Sequence, residues 1–513
     1  MGIYREEEQR RFISAYAELV GRLSRHNHSL LWWATDISSK NRFFSPLERA
    51  LEQIFKGEQT LSPSLLSALW AMILRIARIL QHMAYIAPRI IKARRFSAAI
   101  ARAAADPTPV YVVRTCVAGR SFDAAGNYKD IFFGCLPDFL SKRQRVIIFA
   151  DVMDDFSKTT ELLLKHGKDA IYPLEAFLRL GDVLKASWRM LFFSIRVPDD
   201  LTFLGRAVCK EVRAVCAANG SKIQPLHLYQ YFAMSNLLKY FKVEKLLLTC
   251  EFNPWEKMFL AALKEHAPSA KTVGYQHTVV PQASVNMFTS HLEEDLMPKP
   301  DVILTVGPKP KDIIARYQTA AIQLKPACAL RFEYLIGQPQ SPRTKRGQVL
   351  LVLEGMPQVA QIIAGVVNQL AAQDRYCLRI RTHPFLPLKQ FVQGLLNKGQ
   401  RLEISSGTLV QDLAWADAVI YWGSTVALEA VGLGKPVVHY DNGSLLSFDP
   451  LFELSAFKWR FGPADSLVAI LDGINALSDE EYAQQRQAAQ AYVADYFYPV
   501  TEEAMALFLG AGA

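Results

Sequence analysis

Apolar and polar residues follow two different patterns along this chain, and the change lies near residue 105. Before that point, apolar residues recur at the spacing of amphipathic helices, with a polar interruption over Ser29–Ser45. After it, short apolar runs rich in β-branched residues alternate with stretches of helical spacing. Runs that are apolar throughout, rather than at every second position, are typical of parallel strands buried on both faces. The pattern therefore predicts an N-terminal helical region followed by α/β structure.

The predicted strands fall into two groups along the chain. The first group comprises Val110–Thr115, Arg145–Asp151, Lys245–Cys250, Lys271–Tyr275 and Asp301–Val306. The second group comprises Val349–Leu353, Cys377–Ile380, Ala418–Tyr421 and Pro436–Tyr440. Helical spacing predicts helices over Tyr128–Leu140, Ala176–Phe192, Phe203–Ala217, Leu226–Phe241 and Glu480–Leu509. Strands that alternate with helices in this way predict two α/β domains.

A stretch rich in proline and charge, Gln338–Gly347, lies between the two groups of strands and contains no apolar anchor, so we predict the interdomain linker there. The predicted organisation is a helical, possible membrane-associating region at 1–105, a Rossmann-like domain at 106–337 and a second Rossmann-like domain at 348–479. The helices predicted at 480–513 are long enough to return to the first domain.

Composition supports a folded protein with more than one core. The chain has 513 residues, of which 50% are hydrophobic and 21% are charged. Its seven cysteines form no CxxC pair, which favours a reducing compartment and argues against structural zinc. The first residues, Met1–Glu8, contain no apolar segment of the kind that a secretory signal requires.

Positive charge is concentrated in the N-terminal region of a chain whose net charge is +9. No carboxylate lies between Glu58 and Asp106, and this interval carries seven arginines and lysines. The uncharged stretch Leu61–Leu74 contains Trp70 and is shorter than the roughly 20 residues that span a bilayer. We therefore expect peripheral contact with an anionic membrane surface. The alternative is a helical hairpin packed on the protein's own core, and a nucleic-acid partner is not expected because stacking aromatics do not accompany the basic residues.

Polar residues directly follow the second group of strands. They are Glu354-Gly355, Arg381-Thr382-His383-Pro384 and Gly423-Ser424-Thr425. Open α/β sheets bind ligands at the carboxyl ends of their strands. The Ser424 and Thr425 hydroxyls, with the N–H groups of the helix that follows, suit a phosphate, and His383 can donate a charge-assisted hydrogen bond to it. In the alternative interpretation these three residues only cap helices.

The first group of strands predicts an acid–base site. Glu251 follows the apolar run that ends at Cys250, and Gln276 and His277 follow the next strand along the chain. A carboxylate and an imidazole at neighbouring strand ends can act as a general acid–base pair, which makes Glu251 and His277 the predicted catalytic residues. The alternative for Glu251 is that it caps a helix beginning near Pro254.

Several short motifs in the second α/β domain resemble those of the donor domain in glycosyltransferases of the GT-B fold. They are Asp412–Ile420, Gly423-Ser424-Thr425, Leu428-Glu429-Ala430 and Gly434–Val438. With Arg381-x-His383-Pro384 before them, they resemble a narrower set that uses cytidine nucleotides. That set comprises the bacterial sialyltransferases, the Kdo transferases, capsule-export-linked families and the teichoic-acid CDP-alditol polymerases. Gly274–His277 and the short motifs between Arg120 and Pro137 resemble motifs of surface-polysaccharide transferases of the Kdo type.

The resemblance implies a GT-B fold in which two Rossmann-like α/β domains face a cleft, preceded by the N-terminal helical segment. It implies that Arg381, His383, Ser424 and Thr425 bind the nucleotide phosphate, and that Glu429 contacts the donor ribose or sugar. Further donor and acceptor contacts are expected from Glu354 on the donor side and from Arg120 and Gln276 on the acceptor side. No metal and no cofactor are expected beyond the nucleotide-sugar co-substrate.

The expected function is a glycosyltransferase of bacterial surface polysaccharide, either lipopolysaccharide O-antigen or capsule. It transfers Kdo or a related ulosonic acid from a CMP-activated donor to a glycan or lipid-linked acceptor. The expected location is the cytoplasm, peripheral on the inner face of the cytoplasmic membrane. The alternatives are a CDP-alditol phosphotransferase, a transferase that uses UDP- or GDP-sugars, and a non-catalytic membrane-docked scaffold. A nucleotide-sugar 2-epimerase shares the fold but leaves the basic N-terminal segment unexplained.

Overall fold

The computed structural model describes residues 6–43, 45–58, 65–167, 170–219, 225–338, 342–355, 359–370, 373–383 and 401–510. Pro384 of the predicted phosphate-binding motif lies outside these residues. The chain forms two compact units. The N-terminal unit consists of Arg10–His277, Val285–Glu333 and the residues from Pro499 onward; the C-terminal unit consists of Tyr334–Tyr498, Thr278–Ser284 and the residues up to Gln9.

The chain begins with helices, as its spacing of apolar residues predicts. The helices before the first sheet are α1 (Glu6–Asn27), α2 (Leu30–Trp33), α3 (Asp36–Ser39), α4 (Leu47–Phe55), α5 (Leu65–Ala93) and α6 (Ser97–Ala104). Ser29 and Thr35 cap α2 and α3, because each side chain accepts a hydrogen bond from a backbone N–H of the first turn. The polar interruption predicted between residues 29 and 45 is therefore a pair of short capped helices.

The N-terminal unit is built on a seven-stranded parallel sheet in the order β3-β2-β1-β6-β7-β8-β9. Its strands are β1 (Val110–Val117), β2 (Val146–Val152), β3 (Ile171–Pro173), β6 (Val243–Thr249), β7 (Lys271–Gln276), β8 (Val302–Thr305) and β9 (Gln323–Pro326). A separate antiparallel pair comprises β4 (Thr202–Phe203) and β5 (Arg206–Ala207). The helices that connect the strands are α7 (Leu136–Ser141), α8 (Phe156–His166), α9 (Leu180–Leu191), α10 (Cys209–Asn219), α11 (Pro225–Leu237), α12 (Pro254–His266) and α13 (Pro308–Tyr317).

The C-terminal unit contains a six-stranded parallel sheet in the order β12-β11-β10-β13-β14-β15. Its strands are β10 (Gln348–Val352), β11 (Cys377–Arg381), β12 (Leu402–Ile404), β13 (Ala418–Tyr421), β14 (Val437–Tyr440) and β15 (Lys458–Phe461). The helices of this unit are α14 (Val359–Leu370), α15 (Leu409–Trp415), α16 (Val426–Gly432), α17 (Leu467–Ala476) and α18 (Asp479–Tyr496). Two Rossmann-like α/β domains preceded by helices confirm the predicted fold class.

The last residues of the chain belong to the N-terminal unit. The helix α19 (Glu502–Ala506) is followed by the turn Leu507–Leu509, whose Phe508 is fully buried against the ring of Tyr275. The ammonium group of Lys245 donates a hydrogen bond to the carbonyl of Leu509 at 2.7 Å. These contacts attach the turn Leu507–Leu509 to β6 and β7, the two strands whose carboxyl ends carry Glu251 and His277.

Some predicted helix bounds are wrong. The helix predicted over Phe203–Ala217 begins only at Cys209, because Thr202–Phe203 and Arg206–Ala207 form the antiparallel pair β4–β5. The helix predicted over Tyr128–Leu140 covers only Leu136–Ser141, because Asp130 closes a turn by accepting hydrogen bonds from the N–H groups of Phe132 and Phe133. Within the predicted linker, Arg343 is held by residues of the C-terminal unit. Arg343 forms an ion pair with Asp479 at 2.6 Å and packs over the ring of Tyr482.

Among the described residues, no helix combines the length and the apolarity that a bilayer crossing needs.

Candidate functional site

The connectivity of the C-terminal sheet identifies the place where a ligand is expected. β10 is the first strand of this sheet; β11 and β12 are added on one side of it, and β13 is then placed on the other side. In open parallel sheets, the gap that opens outside the carboxyl ends of the two strands at such a reversal is the usual binding position. Glu354 follows β10, and Gly423-Ser424-Thr425 follow β13. The sheet therefore brings two of the predicted motifs to its switch point.

Glu354 joins the two loops at this switch point. Its Oε1 accepts a hydrogen bond from the N–H of Gly423 at 2.9 Å, while its Oε2 is buried and has no hydrogen-bond partner. Burial raises the pKa of this carboxyl to about 7, although the N–H groups of Gly423 and Trp422 act in the opposite direction. Near neutral pH, Glu354 can therefore carry a proton on the unpartnered oxygen and donate it to a ligand.

Two glycines permit the close approach of groups at this edge. A Cβ on Gly355 would lie 2.9 Å from Nδ1 of His383, so the imidazole rests directly against the loop after β10. A Cβ on Gly423 would lie 2.6 Å from Cβ of Phe448, which leaves no room for a side chain. The structure thus brings His383, Glu354 and Gly423 together, as their positions at strand ends predict.

Ser424 and Thr425 complete the loop after β13. Oγ of Ser424 accepts a hydrogen bond from the N–H of Val426 at 3.3 Å, whereas Thr425 makes no side-chain capping bond to α16. Both residues are half-buried. Because α16 has only seven residues, we assign little of the expected phosphate binding to the end of this helix and most of it to the two hydroxyls.

The sequence predicted that Arg381 binds phosphate, whereas in the structure its guanidinium contacts other groups of the protein. Its Nη1 donates hydrogen bonds to Oδ2 of Asp412 at 2.7 Å and to the carbonyl of Gly407 at 3.0 Å. Asp412 is buried and also pairs with Arg379 at 3.2 Å. The guanidinium charge is therefore largely balanced within β11 and α15, which gives Arg381 a role in supporting the strand that carries His383.

Glu429 is also held by another residue of its unit. Its side chain is 4% exposed, and Oε2 accepts a hydrogen bond from the hydroxyl of Tyr334. The predicted contact with a donor ribose or sugar would therefore compete with this bond. Tyr334 is 43% exposed and was not singled out by the sequence, because it lies outside every motif.

The N-terminal sheet has a switch point of its own, between β1 and β6. The turn Gly119–Ser121 follows β1 and carries Arg120, which is exposed. Glu251 follows β6. Phe252 has a φ of 55°, in the left-handed region, which costs a residue with a Cβ about 1–2 kcal/mol. Such strain is often retained where a loop must hold functional groups in place.

The capping interpretation of Glu251 is wrong. α12 begins after Asn253, and the carboxylate that caps it belongs to Glu256, which accepts hydrogen bonds from the N–H groups of Asn253 at 3.0 Å and Glu251 at 2.8 Å. The side chain of Glu251 is half-buried, and its Oε2 accepts a hydrogen bond from Nδ2 of Asn253 at 3.0 Å. Because Glu256 caps the helix, Glu251 remains the candidate catalytic carboxylate.

His277 is buried beside Glu251. Its side chain is 6% exposed, its Nδ1 has no hydrogen-bond partner, and the ring packs edge-on against Phe132 with a centroid separation of 4.4 Å. Burial lowers the pKa of His277 to about 4; the negative charge of Glu251 opposes this shift, and the positive charges of Arg331 and Arg114 add to it. The imidazole is therefore neutral at pH 7 and can accept a hydrogen bond.

Gln276 does not fit the predicted contact with an acceptor. Its side chain is fully buried, and its Oε1 accepts a hydrogen bond from the N–H of Val306 at 3.2 Å. This bond links the carboxyl ends of β7 and β8. We therefore assign Gln276 to the support of the strand end that presents His277.

Asp130 is a residue whose role the sequence did not show. It is 3% exposed and accepts hydrogen bonds from Thr115 at 3.0 Å and from the Tyr128 hydroxyl at 2.8 Å. Burial raises the pKa of its carboxyl, and hydrogen bonds from Phe133 and Phe132 oppose this. Asp130 thereby positions Phe132, the ring that packs against His277. The short motif Tyr128-Lys129-Asp130 could have drawn attention to Asp130. The spacing of apolar residues instead predicts that this segment is part of a helix.

No protein-family model matches this chain, and no curated protein matches it. Its fold is similar to several solved structures at low sequence identity. The UDP-GlcNAc 2-epimerase from Neisseria meningitidis bound to UDP-GlcNAc has a TM-score of 0.43 and 10% identity, over 75% of this chain and 99% of that one. A putative UDP-N-acetylglucosamine 2-epimerase from Listeria monocytogenes has a TM-score of 0.46 and 10% identity, over 79% and 95%. Anabaena HepE in complex with UDP-glucose has a TM-score of 0.43 and 13% identity, over 78% and 99%. Likenesses at these scores do not decide function.

We expect Glu354→Gln to flatten the pH dependence of stability. The pKa of Glu354 in the folded protein, about 7, exceeds its ordinary value of 4.5, so the folded state holds a proton that the unfolded chain releases. The stabilisation is complete below the ordinary value and is lost as pH rises through 7. Gln keeps an oxygen for the N–H of Gly423 and does not titrate. Between about pH 5 and pH 8, the free energy of unfolding of the variant should fall by about 2–3 kcal/mol less than that of the native chain.

Urea denaturation at the two pH values measures this difference. Glu480→Gln, at an exposed position of α18, is the matched control and should follow the native curve. Identical pH dependence in the native chain and Glu354→Gln would show that the carboxyl does not hold the extra proton.

Proposed function

We propose that this chain is a glycosyltransferase of bacterial surface-polysaccharide assembly that uses a nucleotide-sugar donor. One observation carries the proposal: Glu354, His383 and the loop Gly423-Ser424-Thr425 meet at the switch point of the C-terminal sheet. A position of this kind suits a nucleotide, because parallel strands end there and leave space for a ligand. The residue types suit its phosphate and sugar.

The donor phosphate is held by His383 and by the hydroxyls of Ser424 and Thr425. The imidazole ring can donate a hydrogen bond, which strengthens as negative charge develops on the departing phosphate oxygen. Glu354, which is partly protonated near neutral pH, can donate a further hydrogen bond to the donor in its neutral form. The resemblance of these motifs to cytidine-nucleotide enzymes supports a CMP-linked donor, and Kdo or a related ulosonic acid as its sugar.

The acid–base step is assigned to Glu251, with His277 beside it. The acceptor hydroxyl gives its proton to the Glu251 carboxylate while its oxygen forms a bond to the donor carbon. The bond between that carbon and the phosphate oxygen breaks, and its electron pair leaves with the nucleotide. Neutral His277 can accept a hydrogen bond from the acceptor, and Arg120, which is exposed, is available for an acidic group of a glycan. The acceptor is a glycan or a lipid-linked glycan.

A nucleotide screen tests the donor assignment. We expect CMP to raise the thermal unfolding midpoint more than CDP, UDP or GDP at equal concentration. A ligand that binds only the folded state stabilises it by about 2.7 kcal/mol at 100 times its dissociation constant, which thermal unfolding detects. In the same assay, a smaller rise of the midpoint in His383→Ala than in the native chain would place the bound nucleotide at this histidine.

The other outcomes separate the alternatives. A larger effect of UDP or GDP would replace the cytidine assignment by a UDP- or GDP-sugar transferase. A preference for CDP together with release of CMP from a CDP-alditol would indicate phosphotransfer. If no nucleotide stabilises the protein, the chain is a non-catalytic scaffold and the proposal fails.

A further inference from the structure

Exposed apolar side chains are concentrated on two helices of the N-terminal unit. Among the described residues, nineteen large apolar side chains are exposed, and twelve of them lie on α5, on α9 or at the end of α9. We define the apolar face as six of these residues. They are Trp70, Ile73 and Leu80 of α5, and Leu184, Trp188 and Phe192 of α9 and its end. An exposed apolar surface of this extent is rare on a monomeric soluble protein and indicates a partner.

The exposed side of α9 is a continuous stripe. Leu180, Leu184, Trp188 and Phe192 follow one another at intervals of four residues, so they lie along one side of the helix. The rings of Trp188 and Phe192 pack at a centroid separation of 4.8 Å, although these side chains are 66% and 64% exposed. The opposite side of α9 is buried in the core. The helix α9 therefore has two apolar sides, one buried in the core and one exposed to solvent.

Between Trp70 and Arg78, the side chains of α5 that the structure describes are not buried. They are exposed or half-buried, and the first buried residue after them is Ile79. The guanidinium of Arg75 donates hydrogen bonds to the carbonyls of Leu191 at 3.1 Å and Phe193 at 2.8 Å. These bonds place the exposed part of α5 at the end of α9 that carries Trp188 and Phe192. The two helices thus present their apolar residues in the same region.

Basic residues border this face, although not all of those that the sequence suggested. Arg89 is buried, pairs with Glu175 at 2.9 Å and donates a hydrogen bond to the carbonyl of Val152, so it supports the fold. Lys185 and Arg189 are exposed and lie beside the stripe on α9. The interval between Glu58 and Asp106, which contains α5, has no carboxylate. The apolar face is therefore bordered by the cations Lys185 and Arg189 and by a helix, α5, that carries no carboxylate.

We infer that the apolar face docks on the surface of an anionic membrane. The exposed apolar residues of α5 from Trp70 onward and the stripe on α9 would enter the boundary between headgroups and acyl chains, with Lys185 and Arg189 at the level of the lipid phosphates. Aromatic and branched apolar residues with a basic border are the composition of segments that bind in this way. A second copy of this chain would bring the same positive charge to the interface, which disfavours self-association. The inference stands on the N-terminal unit alone and does not depend on the proposed donor site.

Vesicle co-sedimentation of the full chain tests the inference. We expect binding to phosphatidylcholine vesicles that contain phosphatidylglycerol, and weaker binding to phosphatidylcholine alone. The double variant Trp188→Ser/Phe192→Ser should reduce the partition coefficient by roughly tenfold or more, since each ring loses its transfer into the membrane. Lys185→Glu/Arg189→Glu should lower binding to the anionic vesicles and reduce its sensitivity to salt.

The matched control is Val410→Ser/Tyr498→Ser, which removes two exposed apolar residues from the C-terminal unit. It should bind vesicles as the native chain does, and the thermal midpoints of all variants should agree. Equal vesicle binding by the native chain and Trp188→Ser/Phe192→Ser would overturn the inference, as would a native chain that binds neither vesicle. If the native chain does not bind vesicles but forms a dimer in light scattering, and Trp188→Ser/Phe192→Ser is monomeric, the face would instead be assigned to self-association.

Discussion

Replacing Glu251 by glutamine is expected to abolish transfer while leaving nucleotide affinity unchanged. The amide keeps the shape of the side chain and its hydrogen bond with Asn253, but it cannot accept the acceptor proton. General acid–base catalysis contributes roughly 10²- to 10⁴-fold to rate, so turnover should fall by about that factor. Nucleotide affinity should not change, because the proposed phosphate ligands His383, Ser424 and Thr425 belong to the other unit.

Single-turnover kinetics and calorimetry with the nucleotide measure the two quantities separately. Glu161→Gln, at an exposed position of α8 in the same unit, serves as the control and should behave as the native chain. If turnover of Glu251→Gln stays within about tenfold of native, equivalent to about 1.4 kcal/mol of barrier, Glu251 is not the catalytic carboxylate. Since Glu256 carries the capping role, folding is not expected to confound the result.

The second large effect is expected from His383→Ala. If the imidazole stabilises the departing phosphate, its loss should raise the barrier by about 2–4 kcal/mol, by analogy with the removal of one oxyanion donor. The effect on the dissociation constant of the donor should be smaller, because charge on the leaving oxygen grows only as the bond breaks. Ser424→Ala should be milder, since the Thr425 hydroxyl remains.

Comparison of turnover with donor affinity in the two variants decides this assignment. Gly355→Ala provides an independent probe, because the new Cβ would lie 2.9 Å from Nδ1 and displace the ring without removing it. We expect its turnover to lie between those of the native chain and His383→Ala. Native turnover in His383→Ala would restrict the histidine to a structural role and remove the main support for the cytidine-nucleotide assignment.

The sequence alone determined the interior of both sheets. The predicted strands that the structure confirms, such as β1, β7 and β13, are paired on both sides within their sheets. Strands in this position must be apolar on both faces, and that requirement leaves a continuous signal in the sequence. For the same reason, the polar residues that follow these strands could be expected at one edge of each sheet, which placed Glu251, His277, Glu354, His383 and the Gly423–Thr425 loop.

Only the tertiary structure determined the edge strands of the two sheets and the partners of the charged side chains. Within the two parallel sheets, the four strands that the sequence did not reveal, β3, β9, β12 and β15, are the outermost strands. An edge strand is short and partly solvated, so its local pattern is weak. Partner choice depends on distant residues: Asp412 neutralises Arg381, Glu256 rather than Glu251 caps α12, and Arg89 is buried against Glu175. Charge and spacing show which residues can bind a ligand, whereas packing determines which of them are already bound to the protein itself.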